Sequence, residues 1–222
     1  MPGDPTSAER RAAMVRHQLA RRGVHDRRVL AAMGAVPREE FVPASAAARA
    51  YDDRALPIGE GQTISQPFVV AEMLQALALQ PHDRLLEVGA GSGYAAAVAA
   101  RLCARVVAVE RLPRLAAEAA ERLGRLGCTN VTVVRSDGSL GWPDEAPYDA
   151  VLVSAGAPEI PAALVGQLAV GGRLVAPVGP GQRGQRLLRA RRTEAGLEAG
   201  LEADDLGPVA FVPLIGAQGW PE

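Results

Sequence analysis

The stretch Glu87-Val88-Gly89-Ala90-Gly91-Ser92-Gly93-Tyr94 concentrates three glycines where the apolar run ending at Val88 gives way to a helical pattern opening at Tyr94. Glycine lets a backbone turn tightly and approach a ligand closely, and a helix N-terminus offers N–H groups that have no partner within the helix. A glycine loop alone is weak evidence, because many strand-to-helix bends use glycine only to turn. Glu110 adds context. It ends the next apolar run 21 residues beyond Gly89, the separation at which a carboxylate reaches the ribose hydroxyls of a bound nucleotide. Its competing reading is a solvated charge at a strand end. The glycines run G-x-G-x-G rather than the G-x-G-x-x-G of dinucleotide binders, which favours a nucleoside cofactor without a pyrophosphate.

Further along, Ser136-Asp137-Gly138 follows a third apolar run and puts a carboxylate where it could accept a hydrogen bond from an exocyclic adenine amine. A plain Asp-Gly turn explains the same residues equally well. Ser65 presents a hydroxyl just before an apolar helical pattern, where an N-cap belongs. His17, His25 and His82 are scattered without ligand spacing, and Cys103 and Cys128 have no CxxC partner, so no metal is expected and both thiols read as reduced.

The elements that must carry these residues begin with two amphipathic helices, Arg10 to Ala20 and Asp26 to Ala35, separated by Gly23. Pro37 to Gln62, rich in Pro, Gly and charge, reads as a long ordered loop with a function. Residues 1–66 therefore form an N-terminal helical arm with a pocket loop, and 67–222 a core, within one compact unit. Pro67 to Leu79 is the first core helix. Strands at Arg84 to Val88, Arg105 to Val109, Val131 to Val134, Ala150 to Val153 and Arg173 to Val178 then alternate with helices at Tyr94 to Leu102, Leu112 to Leu126 and Ile160 to Gln167. That rhythm predicts an α/β, Rossmann-like, doubly wound and mostly parallel sheet of seven strands. Arg186 to Arg192 and Val209 to Leu214 follow without a helix between them, so an antiparallel hairpin should end the sheet, with Glu194 to Asp205 as its solvated turn.

Composition narrows the function classes. A net charge of −1 lacks the basic excess needed for counterion release, so no nucleic acid partner is expected. No apolar run approaches membrane-spanning length, and Met1 to Arg11 is too polar for a secretory signal, so the chain reads as cytoplasmic with no membrane partner. All 24 Lys or Arg positions are Arg, a compositional bias from which no function follows.

Glu87, the glycine loop, Glu110 and Asp137 together resemble the cofactor motifs of class I S-adenosylmethionine methyltransferases. That resemblance implies that they hold the methionine part, ribose and adenine, with Tyr94, Arg111 and Gly138 in the same cofactor-binding set. A second segment is more specific. Ile58 to Pro67 (IGEGQTISQP) is similar to the signature of the protein-L-isoaspartate methyltransferases. So are Pro147 to Val151, Ala157 to Pro161, Gly171 to Val175 and Phe211 to Leu214, in family order and spanning about His17 to Gly216. The resemblance implies that Ser65 is the catalytic serine donating to the substrate carboxylate, that Gln62 and Thr63 shape the pocket, and that Val212 lines its substrate end. It also implies S-adenosyl-L-methionine as cofactor, S-adenosyl-L-homocysteine as product, and isoaspartyl peptides or unfolded proteins as substrates; a monomer is expected. The methyl ester would then collapse to a succinimide without the enzyme. Ser136 and Ser139 depart from the residues common in relatives around the Asp-Gly pair, which leaves the adenine pocket the least constrained part.

The chemistry is self-consistent. A carboxylic acid with a reference pKa near 4 is already ionised at neutral pH, so the nucleophile needs no general base, and positioning can supply roughly 7–11 kcal/mol. Three rival readings remain: a peptide-tailoring methyltransferase acting on a normal aspartate, a non-catalytic cofactor-sensing or peptide-binding module, and a nicotinamide oxidoreductase, which the glycine spacing disfavours.

Overall fold

In the computed structural model, residues 5–193 and 202–222 are described. Helix α1 (Ser7–Ala13) starts with a capping box, Thr6 accepting from the Glu9 N–H and Glu9 reaching back to the Thr6 N–H. The expected first helix continues as a π-helical turn over Met14–Leu19, and Gly23 closes it in the left-handed region at φ 103°. Asp26 caps α2 (Arg27–Ala35) by accepting from the Arg28 and Val29 N–H groups. The expected loop of 37–62 is more structured than its composition suggested. It holds two 3₁₀ turns and a hairpin of β1 (Leu56–Gly59) and β2 (Gln62–Ile64), turned through Glu60 and Gly61 at positive φ.

Helix α3 (Pro67–Leu77) begins with proline in its first turn, where the missing N–H costs nothing. Its N-cap is Gln66, with no side-chain cap, so Ser65 is not the capping residue that its sequence position suggested. Then β3 (Arg84–Val88), α4 (Tyr94–Ala99), β4 (Arg105–Glu110), α5 (Pro113–Arg125), β5 (Val131–Arg135), β6 (Tyr148–Val153), α6 (Ala162–Gly166) and β7 (Leu168–Val178) alternate as expected. The main sheet runs β5-β4-β3-β6-β7-β8-β9, with β8 at Gln185–Arg191 and β9 at Glu202–Val209. Pairing is parallel from β5 to β7 and antiparallel for the last two strands.

The last strand corrects the sequence reading. Val209 to Leu214 is not the hairpin partner, and residues 202–205 are strand rather than turn; 194–201 lie outside the described residues. Glu202, Asp204 and Asp205 face Arg191, Arg189 and Leu188 in register, and Asp204 and Asp205 form ion pairs with Arg189 and Arg186. An edge strand can be this polar because water covers it and its charges meet opposite charges on its neighbour.

Both faces of the parallel sheet are covered, and alternate residues feed two separate cores. Leu85, Val106 and Ala108 pack with the arm (Met14, Leu19, Met33, Phe41) and with α3 and α4, while Leu86, Val88, Val107 and Val109 pack with Leu164 and Leu168. Each fully buried side chain of this kind contributes roughly 1.5–3 kcal/mol, so the arm is held by the same core as the sheet. From β3 the chain winds outward to β4 and β5, then returns to the other side of β3 as β6. The crevice beyond the ends of β3 and β6 is the switch point where such sheets bind ligands.

Candidate active site

The glycine loop leaves β3 at this switch point. Gly89 takes φ 85°, which only glycine adopts freely, and the Gly89 and Ala90 N–H groups donate to Val109 O at 2.9 and 3.1 Å, clamping the loop to β4. Glu110 is 6% exposed, and its two carboxylate oxygens accept from Gly91 N at 2.8 Å and Leu112 N at 3.0 Å. An ionised carboxylate has about four acceptor positions, so two remain for a ligand. Glu110, Arg111, Gly138, Gly89 and Gly91 line one cavity of about 660 Å³ together with Gln62, Thr63 and Val212. Gly138 sits so close to β3 that a Cβ there would meet Val88 Cγ1 at 2.6 Å, so the 3₁₀ turn forming the cavity floor demands glycine.

A contiguous cavity of about 430 Å³ holds Ser65, Glu87, Gly89, Gly91 and Tyr94. The serine and the glycine loop thus share one space. The hairpin reaches it by packing on the loop, with Ile58 Cδ1 3.3 Å from the position of a Gly91 Cβ. Glu87 is 1% exposed and its Oε2 has no hydrogen-bond partner. Burial, then the nearby charge of Glu110, raise its pKa to about 8 against a counteracting hydrogen bond from Ser154. The Tyr94 ring forms a wall, while its hydroxyl donates to Met33 Sδ at 3.6 Å in the arm.

A third space, about 870 Å³ and open, adjoins both and is lined by Ser65, Thr63, Gln66, Val212 and Phe211 without any charged side chain. Val212 is carried there by the tail, whose carbonyl at Val212 accepts from Gly156 N and whose Leu214 N donates to Gly156 O, both at 2.8 Å.

Asp137 stands apart from the other sequence-predicted residues. It borders a neighbouring surface cavity, and its carboxylate accepts from Ser139 N, Ser139 Oγ and Ala217 N at 2.7–2.9 Å. Although burial favours its neutral form, these bonds and the Arg111 charge together hold its pKa below the usual range. Arg111 borders both cavities and forms an ion pair with Glu222.

Two residues here escaped the sequence reading. Ser154 lines all three spaces, immediately after β6. A strand-end position was a usable signal for it, but only once the strand order was known. Arg38 is fully buried, donates from Nε to Ala50 O at 2.7 Å and from Nη2 to Ser65 O at 2.8 Å, and lies 4.8 Å over the Tyr94 ring. Burial lowers its pKa. Nothing local in the sequence marks an arginine as buried. Among the described residues, no group of three or more His, Cys, Asp or Glu side chains is arranged to hold a metal ion, and no helix is long and apolar enough to cross a membrane.

The family model described as protein-L-isoaspartate(D-aspartate) O-methyltransferase matches residues 9–219. The chain is 53% identical over 220 residues to the protein-L-isoaspartate O-methyltransferase of Methanoculleus marisnigri, covering 99% of this chain and 97% of that one. It is 54% identical over 211 residues to protein-L-isoaspartate O-methyltransferase 2 of Marinobacter nauticus, covering 95% of each. A solved protein-L-isoaspartate O-methyltransferase superposes with a TM-score of 0.82 at 30% identity over 94% of this chain and 67% of that chain. A Plasmodium falciparum structure named as a putative protein-L-isoaspartate O-methyltransferase beta-aspartate methyltransferase, in complex with S-adenosyl-L-homocysteine, gives 0.77 at 27% identity over 91% and 96%.

Proposed function

The chain belongs to the protein-L-isoaspartate(D-aspartate) O-methyltransferase family, and from that premise we propose that it methylates the free α-carboxylate of L-isoaspartyl residues in damaged proteins or peptides, starting repair through a succinimide. The observation that carries this reading is the shared cavity of Ser65 and the glycine loop, opening into a groove without charged side chains. S-adenosylmethionine, when bound, supplies a sulfonium methyl group. The residues present fit it: the unpartnered, buried Glu87 Oε2 suits a methionine ammonium, and the spare acceptor positions of Glu110 suit ribose hydroxyls.

In this reading Gly89, Gly91 and Gly93 keep the loop close to the cofactor, Tyr94 and Arg111 wall its two ends, and Gly138 forms the floor under adenine. Asp137 is the acceptor for the exocyclic adenine amine, and its bonds from Ser139 and Ala217 join that turn to the tail. Ser65 donates to one carboxylate oxygen and so aims the other at the methyl group, with Gln62, Thr63 and Val212 bounding the acceptor. No proton has to be removed, so orientation and exclusion of water are the protein's whole contribution. The enzyme is further proposed to be a cytoplasmic monomer that uses no metal and has no nucleic acid or membrane partner.

The test is methyl incorporation into paired peptides that differ only in an aspartyl or isoaspartyl linkage. Incorporation confined to the isoaspartyl member is expected. Preference for the normal aspartyl peptide would assign the chain to dedicated peptide tailoring instead, and incorporation into neither would remove the catalytic reading.

A further inference from the structure

Ser154 stands where the cofactor side and the acceptor side of the site meet. It follows β6 directly, its N–H donates to Val88 O at 2.8 Å, and it therefore stands beside the first glycine turn at the switch point of the sheet. With Thr63 it borders all three contiguous spaces, and Thr63 is the more exposed of the two. A carboxylate arriving in the uncharged groove has two oxygens to satisfy and finds no cationic side chain lining it. Neutral donors must do that work, and Ser65 has a single proton to give.

We propose that the Ser154 hydroxyl is a second donor to the acceptor carboxylate, opposite Ser65, and that it becomes free for this task when the cofactor ammonium takes over Glu87. The inference rests on the methyltransferase reading above. Ser154 lines the same cavity as the buried Glu87 carboxyl, whose Oε2 has no hydrogen-bond partner, so an unclaimed acceptor competes with the groove for the hydroxyl proton. An ammonium is a charge-assisted donor, about twice as strong as a neutral one, so once it engages Glu87 the hydroxyl has no competing acceptor there. A serine hydroxyl rotates about one bond, and its proton can then turn into the groove. Two donors fix both carboxylate oxygens, where one would leave the group free to pivot about Ser65. Cofactor binding consequently prepares the acceptor site.

The test compares wild type, Ser154→Ala and Ser154→Thr. Three quantities are read: isoaspartyl-peptide kcat/KM, S-adenosyl-L-homocysteine affinity by calorimetry, and peptide affinity with and without S-adenosyl-L-homocysteine. For Ser154→Ala, kcat/KM should fall about tenfold or more, S-adenosyl-L-homocysteine affinity should stay within about twofold, and the gain in peptide affinity on cofactor addition should disappear. Ser154→Thr, which keeps the hydroxyl, should recover most of the loss, which a purely structural role would not predict for a bulkier side chain. Unchanged kcat/KM in Ser154→Ala overturns the proposal. So does a loss of cofactor affinity as large as the loss of activity, since the hydroxyl would then be serving Glu87. A wild type that methylates no isoaspartyl peptide is a separate outcome and defeats the reading beneath it.

Discussion

A carboxyl group buried beside a second carboxylate is unfavourable unless something compensates, and Glu87 shows what that compensation is. One such compensation is a proton: the pKa rises from 4.5 to about 8 because burial and Glu110 both oppose ionisation. Between roughly pH 4.5 and 8 the folded protein then holds a proton that the unfolded chain releases, so this residue lowers stability as pH rises through that interval. Glu87→Gln should remove that contribution, and its melting temperature should fall less between pH 5 and 8 than that of wild type. Parallel pH profiles for the two proteins would show that Glu87 does not carry the proton. A cationic ligand at Glu87 should expel the same proton, so cofactor binding at pH 7 should depend on the ionisation heat of the buffer in calorimetry. Glu87, Glu110 and the glycines were visible in the sequence because all lie along one strand-loop-helix-strand stretch, from β3 to the end of β4. Ser154 and Arg38 were not visible, since what matters about each is which distant segment it meets.

At the scale of elements, the site depends on how closely two strand ends and a turn approach one another. Gly138 is the tightest case: a methyl group there would sit 2.6 Å from Val88 Cγ1, against a β3 residue that is fully buried. Gly138→Ala should cost about 1–3 kcal/mol through overpacking, lower the thermal midpoint, and weaken cofactor affinity by lifting the floor. A variant with unchanged stability and affinity would mean that the turn has slack. The alternating strands and helices were legible because parallel strands buried on both faces read as continuous apolar runs. The hairpin at Leu56–Gly59 and Gln62–Ile64 was hidden by its brevity and its Pro and Gly content, although its pocket role was anticipated. Strand β9 was hidden by its acids, which look like a solvated turn until the arginines of β8 are seen opposite them. The segment taken for that strand, Val209 to Leu214, instead carries Val212 into the site.

Across the whole molecule, the arm and the core are joined through the active site rather than around it. Arg38 reaches from the arm under the pocket to the carbonyl of Ser65, and the Tyr94 ring below it packs on Phe41 at 5.4 Å. Arg38→Met keeps much of the apolar stem and removes both donors, leaving the buried Ala50 carbonyl and the half-buried Ser65 carbonyl without them. A loss of about 1–3 kcal/mol in denaturant unfolding is expected, together with a fall in kcat/KM that exceeds the fraction unfolded. Activity that tracks the folded fraction would make Arg38 a purely structural residue. The central claim is that catalysis here is the aiming of an already charged oxygen by Ser65 across a cavity shared with the glycine loop. Its most direct test is single-turnover methyl transfer by Ser65→Ala, with cofactor affinity measured on the same preparation. A rate lower by about tenfold to a hundredfold at unchanged affinity is predicted, and a rate within twofold of wild type would contradict the account.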